Sequence, residues 1–258
     1  MRLMKRILSA AAVLALSASL LVGCSSGTAS SVPVSASSAA ESTVSSVEET
    51  ASSAVDENEA AAAQLLNDLT GSYQELWPVI LADEYKQTWL DDCTALVGED
   101  NAEAAFEKLS SMVTGDVYGE DAVRAYANGG GAYFCGFTNS LATLTFDGET
   151  STISGTDKDG NVLFSHTYHY IGMEPVRGLY EFESDDADSG EFTYFFLAPD
   201  TSAETYHIEF RYGSDAEALS QYDAGEYAYW VASGISTDCD QTMIDNCIEL
   251  FCTENLAG

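Results

Sequence analysis

Basic side chains are what this 258-residue chain has least of: nine Lys and Arg stand against 42 Asp and Glu, a formal charge of −33 at neutral pH. A surface that acidic repels nucleic acid and anionic lipid headgroups and attracts cations weakly everywhere. Nucleic acid is therefore excluded as a partner. Histidine is scarce too, limited to His166, His169 and His207. No GxGxxG, Walker loop, GxSxG or HExxH occurs, so nothing supports an enzyme, and the cysteines show no CxxC spacing of a zinc ribbon. Asp157-Lys158-Asp159-Gly160 begins like a calcium loop, but no third acidic position precedes the Gly and no Glu follows at the twelfth position. It reads as a hairpin turn. Asp185-Asp186-Ala187-Asp188, ahead of Gly190, reads as a solvated hairpin loop rather than a cation site.

What the chain does have begins at its N-terminus. Arg2, Lys5 and Arg6 precede an apolar run from Ile7 to Val22, the order of a secretory signal and too short for a comfortable membrane span. Leu21-Val22-Gly23-Cys24 closes the run like the lipobox of bacterial lipoproteins, in which the Cys is acylated and becomes the first mature residue. Residues 1–23 are thus expected to be a signal peptide and Cys24 a lipidation site, with the protein tethered outside the cytoplasm and meeting the membrane only through its lipid. From residue 25 to about 62 the chain is mostly Ser, Ala, Thr, Val and Glu, with six acidic residues, no basic ones and no aromatics. Such a stretch buries too little apolar surface to offset ordering entropy, so residues 24–62 read as a flexible stalk. Removing the signal takes three basic residues and no acidic one, leaving six against 42, a charge of −36.

Residues 63–258 suit one domain with a sizeable core. Ala63 to about Met112 has helical periodicity, with Leu65, Leu66 and Leu69 starting one stripe and Ala105, Phe106, Leu109 and Met112 sharing a face. From Ala132 to about Tyr212 the period drops to two, in stretches rich in Tyr, Phe, Thr, Val and Ile broken by Asp147-Gly148, Asp159-Gly160 and Ser189-Gly190. Strands are expected near 132–138, 141–147, 150–155, 161–170, 177–183, 191–197 and 204–212, enough for a small antiparallel barrel or a sandwich. Short helices follow near 215–222 and 238–251, the latter capped by Thr237 or Asp238. Five cysteines remain after Cys24, an odd number: Cys93, Cys135, Cys239, Cys247 and Cys252. Cys247 and Cys252 point about 140° apart on a helix and cannot bridge each other, which leaves buried thiols or one long-range disulfide.

Three stretches resemble the ZinT family of exported zinc-binding proteins. They are Gly71-Ser72-Tyr73-Gln74-Glu75-Leu76-Trp77-Pro78; Val176-Arg177-Gly178-Leu179-Tyr180-Glu181-Phe182-Glu183; and Phe192 to Pro199 followed by Thr205-Tyr206-His207-Ile208-Glu209-Phe210. Order and spacing agree over roughly residues 63 to 250. The resemblance implies a mainly β fold with flanking α, a lipocalin-like antiparallel β-barrel with N-terminal helices and a C-terminal helix. It also implies a zinc site of three histidines, one four residues before the Pro of the Ala-Pro pair and two in a His-x-His on the next strand. By position these fall on Phe195, Thr205 and His207, around one point, and only His207 is a histidine.

One imidazole does not make a site of three protein ligands, so any retained metal needs another donor. Glu209 is nearest, two residues along the same strand face. Thr205, His207, Glu209 and Arg211 form a polar face opposite Tyr206, Ile208 and Phe210, as in any half-exposed strand. His166 and His169, three apart, point to opposite faces. Two functions follow. One is a lipid-anchored protein that captures zinc or another divalent cation and passes it to a metal-uptake system. The other is a metal-free lipocalin-like module for a small ligand or a protein, with Tyr168, Tyr170, Tyr180, Tyr194, Phe195, Tyr227, Tyr229 and Trp230 available to line a barrel mouth. The lipobox generates the first test: Cys24→Ala should leave unprocessed precursor or released protein, and metabolic labelling with a fatty acid should mark the wild type alone. An unlabelled wild type would refute the anchor.

Overall fold

The computed structural model describes residues 57–198 and 207–257. The expected signal segment, Cys24 and the part of the expected stalk up to residue 56 lie outside the described residues. Helix is already present at residue 57 and runs to 68 as α1, with Ala62 fully buried, ahead of the expected start at Ala63. Leu65, Leu66 and Leu69 turn into the main core, as their spacing predicts.

The chain then forms β1 (Gly71–Glu75), α2 (Leu76–Ile80), α3 (Lys86–Val97), α4 (Glu99–Val113) and α5 (Glu120–Ala127). A meander follows: β2 (Thr143–Asp147), β3 (Thr152–Thr156), β4 (Val162–Met173), β5 (Tyr180–Ser184), β6 (Tyr194–Leu197) and β7 (His207–Gly213). After the short α6 (Ala216–Leu219) come β8 (Ala232–Ser236) and α7 (Gln241–Leu256). Each strand pairs antiparallel with the next, and β8 returns to β1 through Tyr73↔Ser236, Gln74↔Ile235 and Glu75↔Gly234. The result is the expected closed antiparallel barrel with flanking helices.

Three expectations need correction. The stretch 132–138 is not a strand; Phe134 makes only isolated bridges to Thr114 and Trp230. The closing strand β1 lies in a stretch read as helical, and β8 falls between the two short helices expected near 215–222 and 238–251, where no strand was expected. The last helix starts later than expected, at Gln241, because the Asp240 side chain accepts from the Met243 amide at 3.0 Å and takes the capping role given to Thr237 or Asp238. The turn residues act as expected: Asp157 Oδ1 accepts from the amides of Asp159 and Asn161, both at 2.9 Å, and Gly160 takes φ +82°.

Two cores result. Aromatic side chains fill the barrel, with Phe146, Phe182, Phe195, Phe210, Tyr212 and Trp230 all essentially inaccessible. Outside, Trp77, Ile80, Trp89, Cys93, Leu109, Ile248 and Cys252 join α2, α3, α4 and α7 to Ile235 on the outer face of β8. The α3–α7 seam also gathers negative charge. Asp92 is half-buried, its Oδ2 has no hydrogen-bond partner, and burial, then Glu249, Asp245 and Asp91, raise its pKa above the ordinary value. An acid whose folded-state pKa is raised costs the fold stability as pH climbs through that value. Asp92→Asn should therefore stabilise the protein at pH 7 by a few tenths to about 1 kcal/mol, a gain that fades as both states protonate below about pH 4. Urea unfolding at pH 7 and pH 3.5 checks this; a destabilised variant at pH 7 would contradict it.

Candidate functional site

Alternation along β7 sends Ile208, Phe210 and Tyr212 into the barrel, which leaves His207 and Glu209 together on its outer face. His207 is half-buried and Glu209 exposed, and both take part in interactions with neighbouring groups. Across the strand they face Ile235 and Ser233 of β8. Behind Glu209 lie two buried thiols. Burial first, and the Glu209 charge second, push Cys135 and Cys247 up to about 12, so both stay protonated at neutral pH and are poor metal ligands as they stand.

Of the three family positions, Phe195 and His207 do not converge. Phe195 pairs with Tyr212 on the adjoining strand and shares its inward face, fully buried against Tyr168, Phe210 and Phe164. His207 is on the other side of the sheet. Thr205 lies outside the described residues. Among the described residues no group of three or more His, Cys, Asp or Glu side chains is arranged to hold a metal ion. His207 and Glu209 supply one nitrogen and one carboxylate on one face, and the described residues do not complete a site of three protein ligands.

Residues 185–188 are exposed, as expected of a solvated loop, and two of their carboxylates meet the other two histidines. His166 Nδ1 lies 2.8 Å from Asp186 Oδ2, and His169 Nδ1 lies 2.8 Å from Asp185 Oδ1. Consecutive loop carboxylates are thus held by the two faces of β4. His166 also stacks on Phe164 at 5.9 Å, at the rim of the aromatic core.

The polar cluster that sequence reading missed surrounds Arg211, the third member of the outer face of β7. It is fully buried rather than solvated. Its guanidinium donates to the carbonyls of Leu219, Gln221 and Tyr227, which folds the chain between α6 and β8 over the sheet. Arg211 and Arg177 flank the Tyr222 ring at 4.4 and 4.1 Å from its centroid. Beside them the buried Glu174 carboxylate accepts from the amides of Val176 at 2.8 Å and Arg177 at 2.6 Å. Burial lowers Arg211 to about 10, still fully charged at neutral pH. The available signal was scarcity: two of only six basic residues beyond the signal segment meet at one tyrosine.

Solved structures similar to this chain include the Zn(II)-bound ZinT-like domain of Streptococcus pneumoniae AdcA, at 16% identity and TM-score 0.45, covering 71% of this chain and 89% of that one. Zn(II)-bound AdcA from the same organism is similar at 15% identity and TM-score 0.43, over 72% of this chain and 35% of that one. The chain therefore spans about a third of AdcA. No protein-family model matches the chain, and no curated protein matches it.

The opposed faces of Phe195 and His207 have a measurable consequence. Phe195→His should place an imidazole in the aromatic core, cost about 3 kcal/mol or more, and create no zinc site with His207. Urea unfolding with a zinc titration tests it; a stably folded variant that gains tight zinc binding would show that the two side chains meet.

Proposed function

We propose that this chain is an exported, lipid-anchored protein of the ZinT type that binds divalent cations, zinc among them, outside the cell and hands them to a metal-uptake system. The three sequence stretches support the family reading, and the barrel they were expected to build is the one observed. The observation that carries the site is the pairing of His207 and Glu209 as adjacent donors on the accessible face of β7. Two protein donors leave at least half of a tetrahedral zinc shell open to water or to a receiving protein. That suits exchange more than storage. The acidic surface adds a diffuse attraction that raises the local cation concentration. The reading involves no catalysis.

Of the competing module, the small-ligand form is disfavoured by the barrel interior, where Phe195, Phe210, Tyr212 and Trp230 occupy the space a lipocalin would give its ligand. A partner-binding form has one observation in its favour: Leu163, Ile171 and Met173 are exposed along β4, with Val162 and Val176 at its ends.

Calorimetric titration with Zn²⁺ at two salt concentrations separates the readings. His207→Ala and Glu209→Ala should each weaken binding by at least tenfold, about 1.4 kcal/mol, and leave the barrel folded. An imidazole must be neutral to bind, so affinity should also fall as acid protonates it. Isotherms that are weak, salt-sensitive and identical in all three proteins would reduce the binding to diffuse attraction and favour the metal-free module.

A further inference from the structure

We propose that Cys93 and Cys252 are the pair that closes a disulfide in this protein, clipping α3 to α7. All five described cysteines are free thiols in the structure, but these two sulfurs are 3.9 Å apart, although their residues are 159 apart in sequence. Both side chains are fully buried in the same cluster. Side-chain rotation has to shorten the gap to about 2.05 Å, a small movement between helices already in contact. Cys135 directs its thiol elsewhere, to the Tyr133 carbonyl at 3.8 Å. On the proposed reading of the chain as exported, it works where disulfides persist, and one pair among the five cysteines leaves three free thiols.

The position has a physical use. Asp92, next to Cys93, is crowded by Asp91, Asp245 and Glu249, so like charges push α3 and α7 apart where the two sulfurs meet. A covalent bond there resists that repulsion independently of pH and salt. The oxidant is a disulfide, either a small one such as oxidised glutathione or one carried by an oxidoreductase. One cysteine, as thiolate, attacks it, forms a mixed disulfide and expels the first thiol. The second cysteine, as thiolate, then displaces the other half, so two electrons and two protons leave with the two product thiols. Burial raises both thiols above their ordinary pKa in the folded state. The exchange therefore belongs to the stage of folding before α7 docks on α3.

The test uses the full chain, unfolded, refolded in oxidised and reduced glutathione, alkylated and digested without reduction. Mass spectrometry should find the peptides containing Cys93 and Cys252 joined, about 2 mass units lighter than the two free peptides together. The melting temperature of the oxidised protein should lie several degrees above that of the reduced protein. Cys93→Ser and Cys252→Ser should each abolish the link and the shift, and Cys135→Ala should retain both. Complete alkylation of Cys93 and Cys252 in wild type with native circular dichroism, or a bond between another pair, overturns the proposal. Because the wild-type peptide map decides the pairing, a variant that fails to fold does not obscure the answer.

Discussion

A meander of eight strands has two free edges until its first and last strands meet, and in this chain they meet through the short antiparallel register of β1 with β8. Everything else is arranged around that closure. Once the edges are joined, the inward side chains enclose a volume that aromatic rings fill, and every strand among the described residues has a neighbour on both sides. The outward side chain of Ile235 becomes part of the floor on which α2, α3, α4 and α7 pack. Closure brings together strands separated by the whole meander, so its loop entropy is recovered only when barrel and helical layer form together.

The sequence made the middle of the barrel legible and hid its ends. Strands β2 to β7 carry bulky residues at every second position, between Asp-Gly and Ser-Gly turns, and that pattern admits little besides a half-buried meander. Strand β8 reads Ala-Ser-Gly-Ile-Ser and is buried on both sides, so no polar face marks its period. A Cβ on Gly234 would lie 3.1 Å from Ile208, which explains small residues on its inward side. Strand β1 runs directly into α2 at Leu76, and its five residues are lost among the surrounding helical stripes. The outward alternation of His207 and Glu209 was legible for the same reason as the meander. The burial of Arg211 was not, because the element that covers it, the chain between α6 and β8, lies some ten residues further on.

Electrostatics has two scales in this protein. Over the whole surface an excess of carboxylates is screened within about 8 Å at physiological salt and contributes solubility and a weak pull on cations. Locally, the few nitrogen-bearing side chains serve structure: His166 and His169 hydrogen-bond Asp186 and Asp185, and the Arg211 guanidinium fastens a covering loop through three carbonyls. Where α3 meets α7, Asp91, Asp245 and Glu249 surround Asp92, the like charges remain and Asp92 bears the cost.

The difference between a metal site and an ordinary strand then comes down to parity. A strand changes face at every residue, so donors cooperate only when an even number of positions separates them on one strand, or when register sets them side by side on neighbours. His207 and Glu209 satisfy the first condition. Phe195 and His207 fail the second, because Phe195 is registered against Tyr212, an odd step from His207. Phe195, at its inward position, belongs to the core and stabilises the barrel through burial. Parity thus divides the sheet in two: its inner face is filled by aromatic rings, and the neighbouring polar side chains His207 and Glu209 stand together on the outer face of β7.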